Sequence, residues 1–264
     1  MLTRENILDK MSTDIIGRNV VYLDETDSTN EHAKRIALNS PHGTLVAADC
    51  QVSGKGRLGR SWSSPHGESV YMTLILKENI IPENASMLTI IAALAVLNAL
   101  KGKTDNVLIK WPNDIVINGK KVCGILTEMK TLSDKSQYVV VGIGVNVNNE
   151  VFSENIDKVA TSLFRETGQK YDRAEIISRI AKEFEGYYNI FTKCGDLSEM
   201  MADYNDNLAN MDNEVEIIAK GGTYRAQSAG IDERGRLIVK RQDTGVTEKI
   251  VSGEVSVRGV YGYV

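Results

Sequence analysis

The segment that most constrains this chain is an apolar run, MLTIIAALAVLNAL (residues 87–100), whose apolar residues fall on nearly every side of a helix. A helix without a polar face has to be covered all round by other parts of the chain. A membrane would cover it equally well, but the run falls short of the ~20 residues needed to cross a bilayer. The expectation is a deeply buried helix, stopped by Gly102, inside a domain large enough to enclose it. The chain has 264 residues, 42% of them hydrophobic, which allows one large domain or a domain with a small appendage.

The other periodic segments supply what would cover that helix. Residues 1–20 hold one short helix. VVYLDETDSTN brings a strand into a polar turn, and Asp27 or Ser28 is expected to cap the helix EHAKRIAL that follows. TLVAADCQ and SVYMTLIL read as strands. NVLIKWPNDIVINGKKVCGILTEM reads as two strands joined at Asn118-Gly119, a dipeptide that marks hairpins. QYVVVGIGVNVN is apolar almost throughout, as a central strand should be. DRAEIISRIAKEFEGYYNIF reads as an amphipathic helix capped by Asp172, with Ile176, Ile177, Ile180, Phe184 and Tyr187 along one face. Beyond about Asn213 the segments EVEIIAK, TYRAQSAGID, RLIVKRQ and TEKIVSGEVSV alternate with glycine-rich turns. They predict a small all-β module, SH3-like in size.

Composition removes several function classes. Net charge is −4, from 31 basic and 35 acidic residues, the wrong balance for a general nucleic-acid binder. Cys50, Cys123 and Cys194 are odd in number and widely spaced, and neither they nor His32, His42 and His66 fall in a zinc-ligand pattern. The expectation is a reduced, cytoplasmic protein. The charged N-terminus has no signal-peptide core.

Four polar clusters interrupt these apolar elements. Residues 54–61, GKGRLGRS, satisfy G-x-G-x-x-G and come close to the P-loop pattern. Both motifs require a helix directly afterwards to hold the phosphate, and here a strand follows. What remains is a glycine-rich loop that permits close backbone approach, carrying Lys55, Arg57 and Arg60. Arginine suits bidentate contact with phosphate oxygens, and an anion would order such a loop. KWPND (110–114) sets Lys110, Asn113 and Asp114 among residues that want burial, so a ligand or metal is expected to pair with them. Asp114 could hold Mg²⁺ beside phosphates. Lys121 stands just past the Asn118-Gly119 turn. Gly142 and Gly144 in GIGVN suggest that something approaches the strand closely.

Taken in order, DSTN (27–30), GKGRLGRSW (54–62), KWPND (110–114), KKVCGIL (120–126) and GIGVNVN (142–148), followed by a small β module, resemble the biotin–protein ligase family, the biotin–[acetyl-CoA-carboxylase] ligases. The resemblance implies an α+β fold: a mixed-sheet catalytic domain flanked by helices, class II synthetase-like, over residues 1–212, and an SH3-like β-barrel over residues 213–264. It implies an ATP-dependent activation of biotin to biotinyl-5′-AMP, with Mg²⁺, and transfer of biotin to a lysine of a biotin carboxyl carrier domain from a biotin-dependent carboxylase or decarboxylase. No DNA or membrane partner is expected, and a homodimer is. About 20 residues precede the resemblance, so the expected form is ligase-only, without an N-terminal DNA-binding domain.

By the family pattern Ser28, Thr29, Asn30 and Gln51 line the biotin head-group end, with Lys55, Gly56, Arg57, Lys121 and Gly124 completing the biotin site. Arg57, Arg60, Trp62, Lys110, Asn113 and Asn146 meet the nucleotide. Arg57 and Lys121 carry the catalysis, and Asp114 is the metal contact. Lys55 stands where some members have Arg, which keeps charge and loses the fork. Two alternatives stay open: a lipoate- or octanoate-handling enzyme of the same superfamily, and a non-enzymatic regulator that binds biotin or DNA.

Overall fold

The computed structural model describes residues 1–77, 84–131, 137–219, 222–252 and 256–259. The first half runs α1 (Arg4–Lys10), β1 (Val20–Thr26), α2 (Thr29–Ile36), β2 (Thr44–Gln51), β3 (Val70–Leu76), α3 (Met87–Leu100), β4 (Val107–Lys110), β5 (Asp114–Ile117), β6 (Lys120–Thr131) and β7 (Gln137–Val145). Two short helices, α4 (Glu154–Asp157) and α5 (Leu163–Thr167), precede the long α6 (Arg173–Cys194) and α7 (Met201–Asp206). The remainder is β8 (Glu214–Ala219), β9 (Gly222–Ile231), β10 (Leu237–Arg241), β11 (Thr247–Ile250) and β12 (Ser256–Gly259).

Every residue of α3 except Asn98 is buried, as its uniform apolarity demands. Gly102, at φ +81, follows its end. One side of α3 packs on α6, whose stripe Ile176, Ile177, Ile180 and Phe184 is fully buried; Tyr187 is half-buried. The Asp172 carboxylate caps α6 by accepting the Ala174 N–H at 2.9 Å. No described helix is long and apolar enough to cross a membrane.

Among the described residues, seven strands form one mixed sheet in the order β1-β2-β3-β7-β6-β5-β4, parallel only between β1 and β2. The most apolar strand, β7, lies at its centre. Leu45, Met72, Val141, Ile143 and Ile125 face the large core with α3 and α6, whereas Val46, Ile75 and Val140 meet Ala33 and Ala37 under α2. Side chains alternate along a strand, so Thr73, Gly142, Gly144 and Gly124 share the α2 side of the sheet. That side carries the site.

Two expectations are corrected. The 107–130 region contains three strands, because KWPND is itself a turn: the chain reverses over residues 111–113 through a cis Trp111–Pro112 peptide, and β4 pairs antiparallel with β5. Proline lacks the N–H that a continuous ladder would need. The Asn118-Gly119 hairpin stands as read, both residues at positive φ (49 and 76). At α2, Ser28 is the N-cap but makes no side-chain cap bond. Asp27 accepts the Ser28 N–H and pairs with Arg35 at 2.7 Å, while the Thr29 N–H at the helix start goes to Gln51 Oε1 at 2.8 Å.

The C-terminal segments form a five-stranded antiparallel sheet, ordered β11-β10-β9-β8-β12; the last predicted strand is two. Among the described residues no pairing joins β11 to β12, so the sheet is not closed into a barrel. Its apolar face, including Val215, Ala226, Leu237 and Val239, belongs to the same continuous core as α3. The Trp111 indole N–H donates to the Gly235 carbonyl at 3.0 Å, and Leu197 N–H to the Glu233 carbonyl at 2.9 Å.

Candidate active site

Two adjoining cavities open on the α2 side of the large sheet. The smaller, about 50 Å³, is bounded by the start of α2, the end of β2 and the glycine-bearing stretches of β6 and β7. Ser28, Thr29, Asn30, Gln51, Lys55, Gly56, Arg57, Lys121 and Gly124 all line it. The larger, about 840 Å³, lies under the loop 53–67, and Arg57, Arg60, Trp62, Lys110, Asn113, Asp114 and Asn146 line it. Gly56, Arg57, Trp62, Asn113 and Lys121 border both. A group bound in one cavity therefore meets a group bound in the other at Arg57 and Lys121.

A hydrogen-bond chain organises the small cavity. Gln51 Oε1 accepts from the Thr29 N–H and, at 3.1 Å, from its hydroxyl, and Gln51 Nε2 donates to Ser64 Oγ at 2.8 Å. The Thr73 hydroxyl lies 2.9 Å from Thr29 Oγ1 and 2.7 Å from Asn30 Oδ1. Asn30 Nδ2 donates to the Leu126 carbonyl and to Glu128 Oε2. These partners fix which edge of each polar side chain a ligand would meet.

The strand glycines are explained by two side chains. The Asn30 amide lies so close over Gly142 that a Cβ there would collide with its oxygen. The Trp62 indole rests on Gly124 and Gly144, which face each other across β6 and β7; a Cβ on Gly144 would stand 2.7 Å from the ring and one on Gly124 2.9 Å. Its N–H is buried with no hydrogen-bond partner. The loop itself is a tight hairpin. Gly56 N–H donates to the Arg60 carbonyl and Trp62 N–H to the Gly54 carbonyl, with Leu58 left-handed at φ 56 near the tip.

Among the described residues, five cations, Arg57, Arg60, Lys110, Lys121 and Lys158, line the large cavity against one carboxylate, Asp114. Lys121 Nζ sits 2.6 Å from Asp114 Oδ1 and 5.4 Å from the centre of the Trp62 ring. Arg57 donates to Asn113 Oδ1 at 2.6 Å. Burial pulls the Arg57 pKa below its ordinary value; Asp114 opposes this and Arg60 adds to it. A guanidinium nonetheless remains charged. Lys55 borders the small cavity instead, its ammonium 2.6 Å from Glu31. Asn146 lines the cavity with its amide donating to the Thr161 carbonyl at 3.0 Å.

One wall carries no sequence signal. Asn149, Val151, Phe152, Ile156, Val159 and Ala160 line the large cavity, and Val257 adds to it from β12. Their apolar residues follow no period, because they face the cavity. Tyr71, Gly142 and Gly144 were also missing from the expected lining of the small cavity, although the glycines had signalled a close approach.

A profile described as the biotin/lipoate A/B protein ligase family matches residues 22–146, and one described as the biotin protein ligase C-terminal domain matches residues 212–258. The bifunctional ligase/repressor BirA of Bacillus spizizenii is 36% identical over 261 residues, covering 96% of this chain and 78% of that protein. The chain belongs to the biotin protein ligase family. A second relative, the biotin–[acetyl-CoA-carboxylase] ligase of Paracoccus denitrificans, is 34% identical over 83% of this chain and 92% of its own. Among solved structures, the biotin protein ligase of Aquifex aeolicus in complex with biotin and ATP superposes with a TM-score of 0.81 at 32% identity. It covers 92% of this chain and 99% of that one. Nothing in these comparisons favours the lipoate alternative.

Proposed function

We propose that this member of the family is an ATP-dependent biotin protein ligase that binds biotin in the small cavity and ATP in the large one. The observation that carries the reading is the shared border: the two cavities meet at Arg57 and Lys121, where a carboxylate from one side would reach a phosphate from the other. A carboxylate does not acylate an amine unaided. The biotin carboxylate oxygen attacks the α-phosphate of ATP, the bond to the leaving phosphate breaks, and pyrophosphate departs. A carrier lysine amine then attacks the carbonyl of biotinyl-5′-AMP, gives up a proton, and AMP leaves.

The protein acts by placement and by charge. Ser28, Thr29, Asn30 and Gln51 present hydrogen-bonding edges to the ring end of biotin. Lys121 lies with Arg57 where negative charge develops in the first step, which fixed cations stabilise. Arg60, Lys110, Asn113, Asn146 and Trp62 serve the nucleotide. Lys55 borders the biotin site with its ammonium paired to Glu31. Mg²⁺ usually takes one or two carboxylates together with phosphate oxygens and water, and Asp114, the one acid among the described lining residues, fits that role. Residues 1–212 form the catalytic unit and 213–264 the C-terminal one. The partner is a carboxylase carrier domain, met in the cytoplasm by a homodimer; neither DNA nor membrane enters the reading.

ATP–pyrophosphate exchange tests this, with biotin, lipoate and octanoate compared as the added acid. Exchange with biotin alone is expected. Exchange with lipoate or octanoate instead would move the chain to the sister activity, and no exchange with any acid would leave only a binding role.

A further inference from the structure

Glu25 and Cys50 are direct partners across the parallel β1–β2 pair, and His66 reaches them from the far end of the loop 53–67. No spacing in the sequence links the three. In the fold, a carboxylate oxygen, the thiol sulfur and an imidazole nitrogen all lie within 4.8 Å of one another. None of these residues borders either cavity.

The imidazole is already held as a metal-bound ring is held. Its Nδ1 lies 3.3 Å from Asp49 Oδ2, which also accepts the Gly67 N–H at 3.1 Å. Asp49 is anchored in turn by Arg173 at 2.7 Å. A carboxylate on one ring nitrogen fixes the ring and presents the other. That other nitrogen, Nε2, stands 3.6 Å from Glu25 Oε2. Nitrogen and oxygen ligands of a tetrahedral zinc ion sit ~3.4 Å apart, and sulfur sits ~3.6 Å from either. The sulfur therefore has to close by at most ~1.2 Å.

We propose that Glu25, Cys50 and His66 form a binding site for a borderline-soft divalent cation of the zinc class, with water in the fourth position. Thiolate, imidazole and carboxylate together favour such an ion over magnesium or calcium. Binding displaces the Cys50 thiol proton and forms one metal–sulfur bond. Its consequence is mechanical. His66 ends the loop that carries Arg57, Arg60 and Trp62, and Cys50 precedes Gln51, so one ion pins the loop's far end to the strands beside the small cavity.

The test is titration of the full chain with Co²⁺ alone, following thiolate-to-cobalt charge-transfer absorption. The expected result is saturation at one equivalent, retained in Cys194→Ser, lost in Cys50→Ser, and reversed by Zn²⁺. His66→Ala and Glu25→Gln alter exposed side chains, and each is expected to weaken cobalt binding tenfold or more. They carry the test if Cys50→Ser does not fold. No charge-transfer band in the parent protein, a band that survives Cys50→Ser, or unchanged affinity in both His66→Ala and Glu25→Gln would each overturn the proposal.

Discussion

Gly142→Ala is the sharpest probe of the small cavity. Gly142 has ordinary strand geometry, without a positive φ, so alanine adds no backbone strain. The added Cβ would collide with Asn30 Oδ1 and stand 2.8 Å from Asn30 Cγ and 3.0 Å from Nδ2. To relieve this, Asn30 has to abandon Thr73, the Leu126 carbonyl and Glu128. Three hydrogen bonds at ~1 kcal/mol each give a cost of about 3 kcal/mol, the upper end of the range for an overpacked site. Asn30→Ala removes the same three bonds and should cost about as much. In the double variant the new Cβ occupies the space that Asn30 leaves. Its cost should stay near 3 kcal/mol instead of the ~6 kcal/mol of an additive pair. Urea unfolding at unchanged m-value reads these differences. Pyrophosphate exchange with biotin should fall in all three variants. Additive single costs, or a Gly142→Ala protein within ~0.5 kcal/mol of the parent, would refute the contact on which the reasoning rests.

Lys121→Ala should slow biotin-dependent pyrophosphate exchange by about 10²–10³, the usual cost of losing one fixed charge-stabilising group; an unchanged rate removes Lys121 from the chemistry. Trp62 and Trp111 are the two tryptophans, and Trp62 fills the floor made by Gly124 and Gly144. Biotin should therefore change tryptophan emission in the parent and leave Trp62→Phe unresponsive, whereas a persistent response in that variant would assign it to Trp111. At Asp232, burial pushes the carboxyl pKa up, but Arg236, Lys249 and the N–H groups of Arg236 and Arg234 outweigh it and hold the pKa at about 2. Depression from 3.8 means that this stabilisation, about 2 kcal/mol, is complete above the ordinary carboxylate pKa. It is lost as pH falls from about 4 towards 2. Asp232→Asn should flatten that acid limb of the stability profile, and an identical limb in the variant would contradict the assignment.

Elements that bury a face were legible because burial imposes a period. The all-apolar helix, the strand around Val140 and the stripe from Ile176 to Phe184 needed no partner to be recognised. The turn inside KWPND escaped because its charged residues broke the pattern without showing which way the chain bends. The Thr29 N–H finds Gln51 twenty-odd residues away, so no local capping signal could name it. The candidate site was legible where polar residues interrupt apolar strands, as at Lys110, Asn113 and Asp114. It was illegible along residues 149–160, where Phe152 and Ile156 face open space and obey no period. Glu25, Cys50 and His66 show the same limit, since only the parallel pairing of β1 with β2 makes neighbours of the first two.

Trp111 reaches across to Gly235 from the turn that carries Asn113 and Asp114, and Val257 of β12 closes the same large cavity. The large cavity is thus walled by segments far apart in the sequence, the loop 53–67 on one side and β12 on another, and a chain lacking β12 would leave that part of the wall open.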